Sequence, residues 1–462
     1  MFRSSYIKRF GDRRVELRGE QFSQRLFRLG SRNIQALSLT RSEQKAFYRL
    51  LRNGKMTEQK LIEEIQSRCS NHSDGKVLLA IQDTTEINLG SHYNRIDKSS
   101  GIGRLDSPFL KDIGFKLHPS LVIDASNCFP IGFSSIRIWN RPLEKTTKQE
   151  RKSANTPLDQ RESQKWLETS AQTKECLNKA KAVVIIQDRE GDMYEQFSAQ
   201  QDNVYMLIRS RINRRLNDGS KLHESLANAP VCGTYVIDIT SDSHGKVARK
   251  AQMEVRYIHT QIKPPQAKSD QESHWVYVIE SKEVNSDVKD PLCWRLITTW
   301  PVDCFESAKM IIDWYSCRWI IEEVFRLVKK EGFDLEASEL ESPWAIRKLS
   351  IMLLDTVLKV LQMHIAYQLP EEEAPPVSIA FDPNQQTCLK ALNKKAEGKT
   401  VALQNPYQST NLKWAVWVIA RIGGWKGYQS QRPPGMTTLL NGMKQFDKIY
   451  EGWELNIDVG TR

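Results

Sequence analysis

Two stretches well separated in the chain, "VLLAIQDTT" (77–85) and "AVVIIQDRE" (182–190), are near copies of one another. Each is an apolar run of strand length that closes in Ile-Gln-Asp. A run without polar alternation reads as a strand buried on both faces. A carboxylate at the mouth of such a strand is costly unless something pairs with it. The chain must therefore fold so that Asp83 and Asp188 find a compensating partner, and few architectures meet that demand.

The surrounding pattern predicts strands at 77–84, 118–125 and 129–139, then a polar loop at 140–160. A helix over 161–181 leads into the strand at 182–188, and a short helix precedes another strand at 203–211. This order predicts a mixed α/β sheet flanked by helices. Between about 210 and 300, runs such as "GTYVIDIT", "AQMEVRYIHT", "HWVYVIES" and "CWRLITT" are split by turn-forming and Pro-rich spacers. They predict a β-strand-rich insertion. Helices follow at 305–331 and 343–368, the second apolar enough to be mostly buried. A linker at 369–376 precedes a final helical region containing 412–425 and 442–454. With 462 residues the chain is long enough for two or three domains. The expected division is a helical segment 1–60, an α/β segment 61–368 and a helical segment 369–462.

Charge is concentrated at one end. Residues 1–60 hold fifteen Lys and Arg against five Asp and Glu, while the whole chain carries a net charge of +11. Nearly all of the excess thus lies in the first helical segment, which predicts a polyanion-binding module. The alternative is a solvated surface of ordinary helices. The eight cysteines form no C-x-x-C pair and the histidines no H-E-x-x-H, so reduced thiols in a cytoplasm are expected and a structural zinc is not. The first residues lack a signal-peptide core and no run reads as a membrane span, so no membrane partner is expected.

Turning about 100° per residue along 305–331 places Tyr315, Arg318, Glu322 and Lys329 on one narrow stripe. Glu323 points well off that stripe. Glu322 can therefore reach inward beside the sheet and Glu323 cannot. The plainer alternative is a solvated amphipathic helix with a few ion pairs. Taken together, Asp83, Asp188 and Glu322 would repel one another unless a cation neutralised them. Oxygen-only ligands select Mg²⁺ or Mn²⁺. Two such ions can clamp the attacking and leaving oxygens of a phosphoryl displacement.

These residues resemble those of a known family, the DDE transposases of bacterial insertion sequences, and within it the insertion-sequence-four family. The resemblance runs nearly end to end through "GDRR" (11–14), "AFYRLLRN" (46–53), "IQDTT" (81–85), "ESQKW" (162–166), "QDREGD" (187–192), "IRS" (208–210), "WRLITTWPV" (294–302) and "WAVWVIARIGG" (414–424). Its most specific part is "YSCRWIIEEVFRLVK" (315–329), which fits the Tyr-x2-Arg-x3-Glu-x6-Lys signature at every spacing. The resemblance implies an α/β ribonuclease H-like catalytic core with a β-strand-rich insertion. An α-helical N-terminal DNA-binding domain and an α-helical C-terminal dimerisation domain would flank it. It implies Asp83, Asp188 and Glu322 as catalytic metal ligands for two Mg²⁺ or Mn²⁺ ions. Tyr315, Arg318, Lys329, Arg209, Trp294, Arg13 and Arg14 would contact DNA, with Trp294 stacking on a flipped base. From sequence alone a packing residue of the insertion is the stronger reading of Trp294, and a surface arginine is the alternative for Arg209. The implied activity is cut-and-paste transposition by nicking, hairpin formation, hairpin opening and strand transfer. The partners would be double-stranded DNA, both terminal inverted repeats and target, and a second copy of the chain in a synaptic complex. The implied setting is a bacterial cytoplasm, at the nucleoid when bound to DNA. Two rival functions stand beside it: a nuclease with the same core that cuts without joining, and a DNA-binding regulator without chemistry.

Overall fold

The computed structural model describes residues 4–107, 109–144, 161–198, 202–239, 248–284, 291–428 and 431–460. Most of the loop expected at 140–160 lies outside the described residues. Its strands in chain order are β1 (Val77–Gln82), β2 (Thr85–Asn88), β3 (Gly103–Arg104), β4 (Ile113–Asp124), β5 (Pro130–Trp139), β6 (Ala182–Gln187), β7 (Val204–Arg209), β8 (Gly233–Ile239), β9 (Arg249–Ile262), β10 (His274–Glu283) and β11 (Cys293–Thr298). The architecture is mixed α/β. The chain divides into two compact units. The first comprises Met1–His72, Thr84–Arg151 and Ile321–Arg462, and the second Ser73–Asp83 and Lys152–Ile320.

The second unit is built on a mixed sheet in the order β1-β6-β7-β11-β10-β9-β8. β1, β6 and β7 are parallel, and they are the strands with continuous apolar runs, as burial on both faces requires. From β11 onward the neighbours are antiparallel. β8 at the edge alternates between half-buried and exposed positions. The strands read as an insertion thus extend the same sheet, because β11 pairs directly with β7 (Ile297 opposite Ile208).

The first unit holds β2 and β5 antiparallel to the long β4, with β3 also against β4. Around them pack helices from both chain ends. Helix Arg13–Leu29 starts at Asp12, whose carboxylate accepts from Arg14 N at 3.1 Å, and stops at Gly30 with φ 53°. Thr40 and Thr57 cap helices Arg41–Arg52 and Glu58–Asn71 in the same way. Helix Pro343–Gln368 is long and apolar enough to cross a membrane, yet 89% of its most apolar stretch is buried inside the protein. It carries Asp355 and Lys359, both fully buried, with Lys359 Nζ 2.9 Å from Asp355. Asp355 also pairs with Arg68 of helix Glu58–Asn71 and accepts from Ser4 Oγ at 2.7 Å.

One element differs from the periodicity reading. Residues 305–331 are not a single helix. They form helix Phe305–Ser316, a turn at Cys317 and Arg318, helix Trp319–Arg326 and a π turn at Leu327–Glu331. A π turn advances fewer degrees per residue, so 100° steps cannot be carried through to Lys329. Such turns are rare and collect at functional positions.

Candidate active site at the paired strand ends

β1 and β6 pair in a fixed register, from Val77 opposite Ala182 to Ile81 opposite Ile186. One residue further on, Gln187 Nε2 donates to Gln82 Oε1 at 2.8 Å, and both side chains are fully buried. Ser170, from helix Gln164–Cys176, accepts from Gln187 at 3.2 Å and from Gln82 at 3.4 Å. This gives the repeated Gln a role. One amide donates to the other inside an apolar layer, where a lone amide would be costly, while Gln187 Oε1 stays buried without a hydrogen-bond partner. Gly191 closes the same spot, since a Cβ there would come within 2.4 Å of Gln187 Oε1. The following residue of each strand, Asp83 or Asp188, then emerges at the carboxyl end of adjacent parallel strands, where open α/β sheets take their ligands.

The two aspartates are held differently. Asp188 Oδ1 accepts from Glu190 N at 2.8 Å and so caps the short turn Arg189–Gly191. Asp83 Oδ2 accepts from Arg318 Nη1 at 3.0 Å. Here is a cationic partner of the kind the strand end demanded. Arg318 is buried and its guanidinium lies 4.8 Å from the centre of the Trp319 ring. Tyr315 is buried beside it. Burial pushes the Tyr315 hydroxyl pKa up, Arg318 and Arg209 pull it down, and Asp188 adds to the rise. Arg209 closes β7. Burial lowers its pKa, the neighbouring Tyr315 opposes that, and Arg189 and Arg318 reinforce it. The Trp294 ring meets Tyr315 edge-on at 5.9 Å. Asp83, Asp188, Arg209, Trp294, Tyr315 and Arg318 thus share one neighbourhood in the second unit.

Glu322 and Lys329 belong to the first unit. Glu322 is half-buried, whereas Glu323 is exposed and accepts from Arg326 Nε at 3.1 Å. Lys329 Nζ lies 3.4 Å from Thr85 Oγ1 and 3.7 Å from Glu336. Arg13 and Arg14 are exposed in the first turn of their helix. Among the described residues, no group of three or more His, Cys, Asp or Glu side chains is gathered so as to hold a metal ion. The donors at the strand ends are carboxylate oxygens on adjacent strands, a pair whose chemistry fits a hard divalent cation.

Sequence reasoning missed the supporting shell. Ser170, Gly191 and the Gln82–Gln187 contact are structural parts of the site, and the doubled Gln was the signal for them. It also passed over Asp192, the second aspartate of "QDREGD". Asp192 is buried, pairs with Arg214, and accepts from the N–H groups of Arg211 at 2.7 Å and Ile212 at 3.0 Å. It pins the loop after β7, whereas Asp188 is half-buried at the strand end and Glu190 is the exposed acid of that motif. No family model matches the chain.

Proposed function

We propose that the chain is a DDE-type DNA transposase of the insertion-sequence-four kind, with a ribonuclease H-like core. The observation that carries this reading is the pairing of β1 with β6, which sets Asp83 and Asp188 at neighbouring strand ends beside Arg318, Tyr315, Arg209 and Trp294. That set joins the two aspartates to the Tyr-x2-Arg part of the sequence signature in one neighbourhood. On this reading Asp83, Asp188 and Glu322 hold two Mg²⁺ or Mn²⁺ ions. The ions supply charge neutralisation and a more acidic water for displacement at phosphorus.

The chain's own residues do the rest. Arg318 neutralises Asp83 until DNA and cation arrive, and Arg209 and Lys329 offer guanidinium and ammonium donors to backbone phosphates. Tyr315 stays protonated at neutral pH, because its pKa is raised, and donates its O–H. Trp294 offers an aromatic face to an unstacked base. Arg13, Arg14 and the basic helices behind them grip the terminal repeat. A homodimer brings two ends together in a bacterial cytoplasm.

The test is to incubate the protein with the inverted repeats that flank its gene and with Mg²⁺. Nicked, hairpin and target-joined DNA should appear in that order. Cutting without hairpin or joined product would assign a nuclease, and specific binding without any cutting would assign a regulator.

A further inference from the structure

A second site lies in the helical part of the first unit, formed by 367–433. A cavity of about 610 Å³ is walled there by Tyr367, Tyr407, Trp417, Trp425 and Tyr428. The Tyr367 ring meets Tyr407 at 5.6 Å and Trp425 at 5.9 Å, both nearly at right angles. These contacts make the walls of a slot rather than a filled stack. Its shape is fixed from behind by Arg421. That side chain donates to Ala396 O at 2.9 Å and to Trp425 O at 3.3 Å, and Trp425 Nε1 donates to Arg432 O at 3.1 Å.

Lys413 lines the same cavity and is only 7% exposed. Its Nζ donates to Leu369 O and sits 4.9 Å from the centre of the Tyr407 ring. An ammonium has three donors, and Leu369 takes one. Exposed amides of Gln368, Gln404 and Gln431 stand at the mouth. A hydrocarbon ligand would strand the ammonium and the amides. A cationic ligand would be repelled by Lys413, and a small anion would leave the aromatic walls unused. A flat heterocycle with a ring carbonyl suits this lining: one ring can stack on its face while a perpendicular ring meets its edge, Lys413 donates to the carbonyl, and the amides meet its polar edge.

We propose that this cavity binds a nucleobase carrying a ring carbonyl, of the thymine, uracil or guanine class. The base can come from a free nucleotide or from an unpaired position in a nucleic-acid strand. The proposal stands apart from the assignment of the aspartates, because neither metal nor transposon ends enter it.

Calorimetric titration of the full chain with thymidine, deoxyguanosine and deoxyadenosine monophosphates tests it, alongside single-stranded oligothymidylate. Thymidine and deoxyguanosine monophosphates should bind at least about tenfold tighter than the adenine nucleotide, which lacks a ring carbonyl. Loss of one stacking ring should weaken binding by roughly 5- to 150-fold. Tyr428→Ala should therefore show that loss and Tyr428→Phe should keep the affinity. Tyr428 is 47% exposed, so its removal leaves the fold intact. Lys413→Met, verified as folded by circular dichroism, should erase the preference over adenine. If only oligothymidylate binds, and Tyr428→Ala weakens it by the same range, the base belongs to a strand. Binding that ignores Tyr428→Ala, equal binding of the adenine nucleotide, or no binding at all would overturn the proposal.

Discussion

Asp83 and Asp188 follow an identical dipeptide for a physical reason. Gln82 and Gln187 must meet side by side, and the register that joins them delivers both acids to one edge. Replacing Gln187 with Leu leaves the Gln82 amide buried with fewer partners, at a cost of about 1–3 kcal/mol, read as a lower urea midpoint. Under the proposed function the acids themselves carry catalysis rather than stability. Asp83→Asn, Asp188→Asn and Glu322→Gln should each abolish nicking of end DNA while a gel-shift assay shows unchanged binding. Glu323→Gln should be harmless, because that exposed carboxylate faces Arg326. A fatal Glu323→Gln with a harmless Glu322→Gln would reverse the assignment. Trp294 stacks edge-on against Tyr315 while remaining half-buried, so packing and base-stacking are separable by kinetics. Trp294→Ala should slow hairpin formation by roughly one to two powers of ten, the worth of about 1–3 kcal/mol of stacking. Nicking should keep its rate. Equal slowing of both steps would mean that the ring only supports the sheet.

The elements legible in the sequence were those with one strong pattern. The buried strands and helix Pro343–Gln368 announce themselves by unbroken apolar runs. The short β2 and β3 lack such a run, and helix Pro383–Ala396 presents only a weak apolar stripe, so periodicity could not find them. The break at Cys317 and the π turn after Arg326 were hidden because each keeps near-helical backbone angles and helical composition. At the strand ends, Asp83, Asp188, Tyr315 and Arg318 could be read from the sequence, whereas the contacts of Ser170 and Gly191 depend on tertiary placement. Helix Pro343–Gln368 also hides a charge cluster inside its apolar pattern. Burial alone would push the Asp355 carboxyl up, but Arg68 and Lys359 hold it below the ordinary carboxylate range. A depressed pKa contributes stability that is complete above the unfolded value of about 4 and fades as pH falls through the folded one. Glu64 in the same cluster is raised, chiefly by burial, and works in the opposite direction. Asp355→Asn should therefore lower the melting temperature at neutral pH and flatten the loss of stability below about pH 4. An unchanged acid limb in thermal melts would contradict this account of the cluster.

At the scale of the whole molecule the basic N-terminal segment presents two kinds of cationic side chain. Arg25 and Arg28 pair with Glu451 and Asp447 of the last helix, and Phe22, Leu26 and Phe47 are buried, so the segment is part of the first unit's core. Arg41, Lys45, Arg49 and Arg52 instead fall on one exposed face of their helix, at spacings of four, four and three residues. Replacing these four with Gln should weaken DNA binding without unfolding the chain. It should also flatten the dependence of log affinity on log salt by about one for each phosphate that is no longer neutralised. An unchanged salt slope would move the DNA footprint elsewhere. The central claim is that the paired strand ends hold a divalent cation for phosphoryl transfer. Its most direct test is the metal dependence of nicking by Asp188→Cys. A thiolate ligand disfavours Mg²⁺ and accepts softer Mn²⁺. The account predicts no nicking in Mg²⁺ and restored nicking in Mn²⁺, whereas wild-type rates in Mg²⁺ would contradict it.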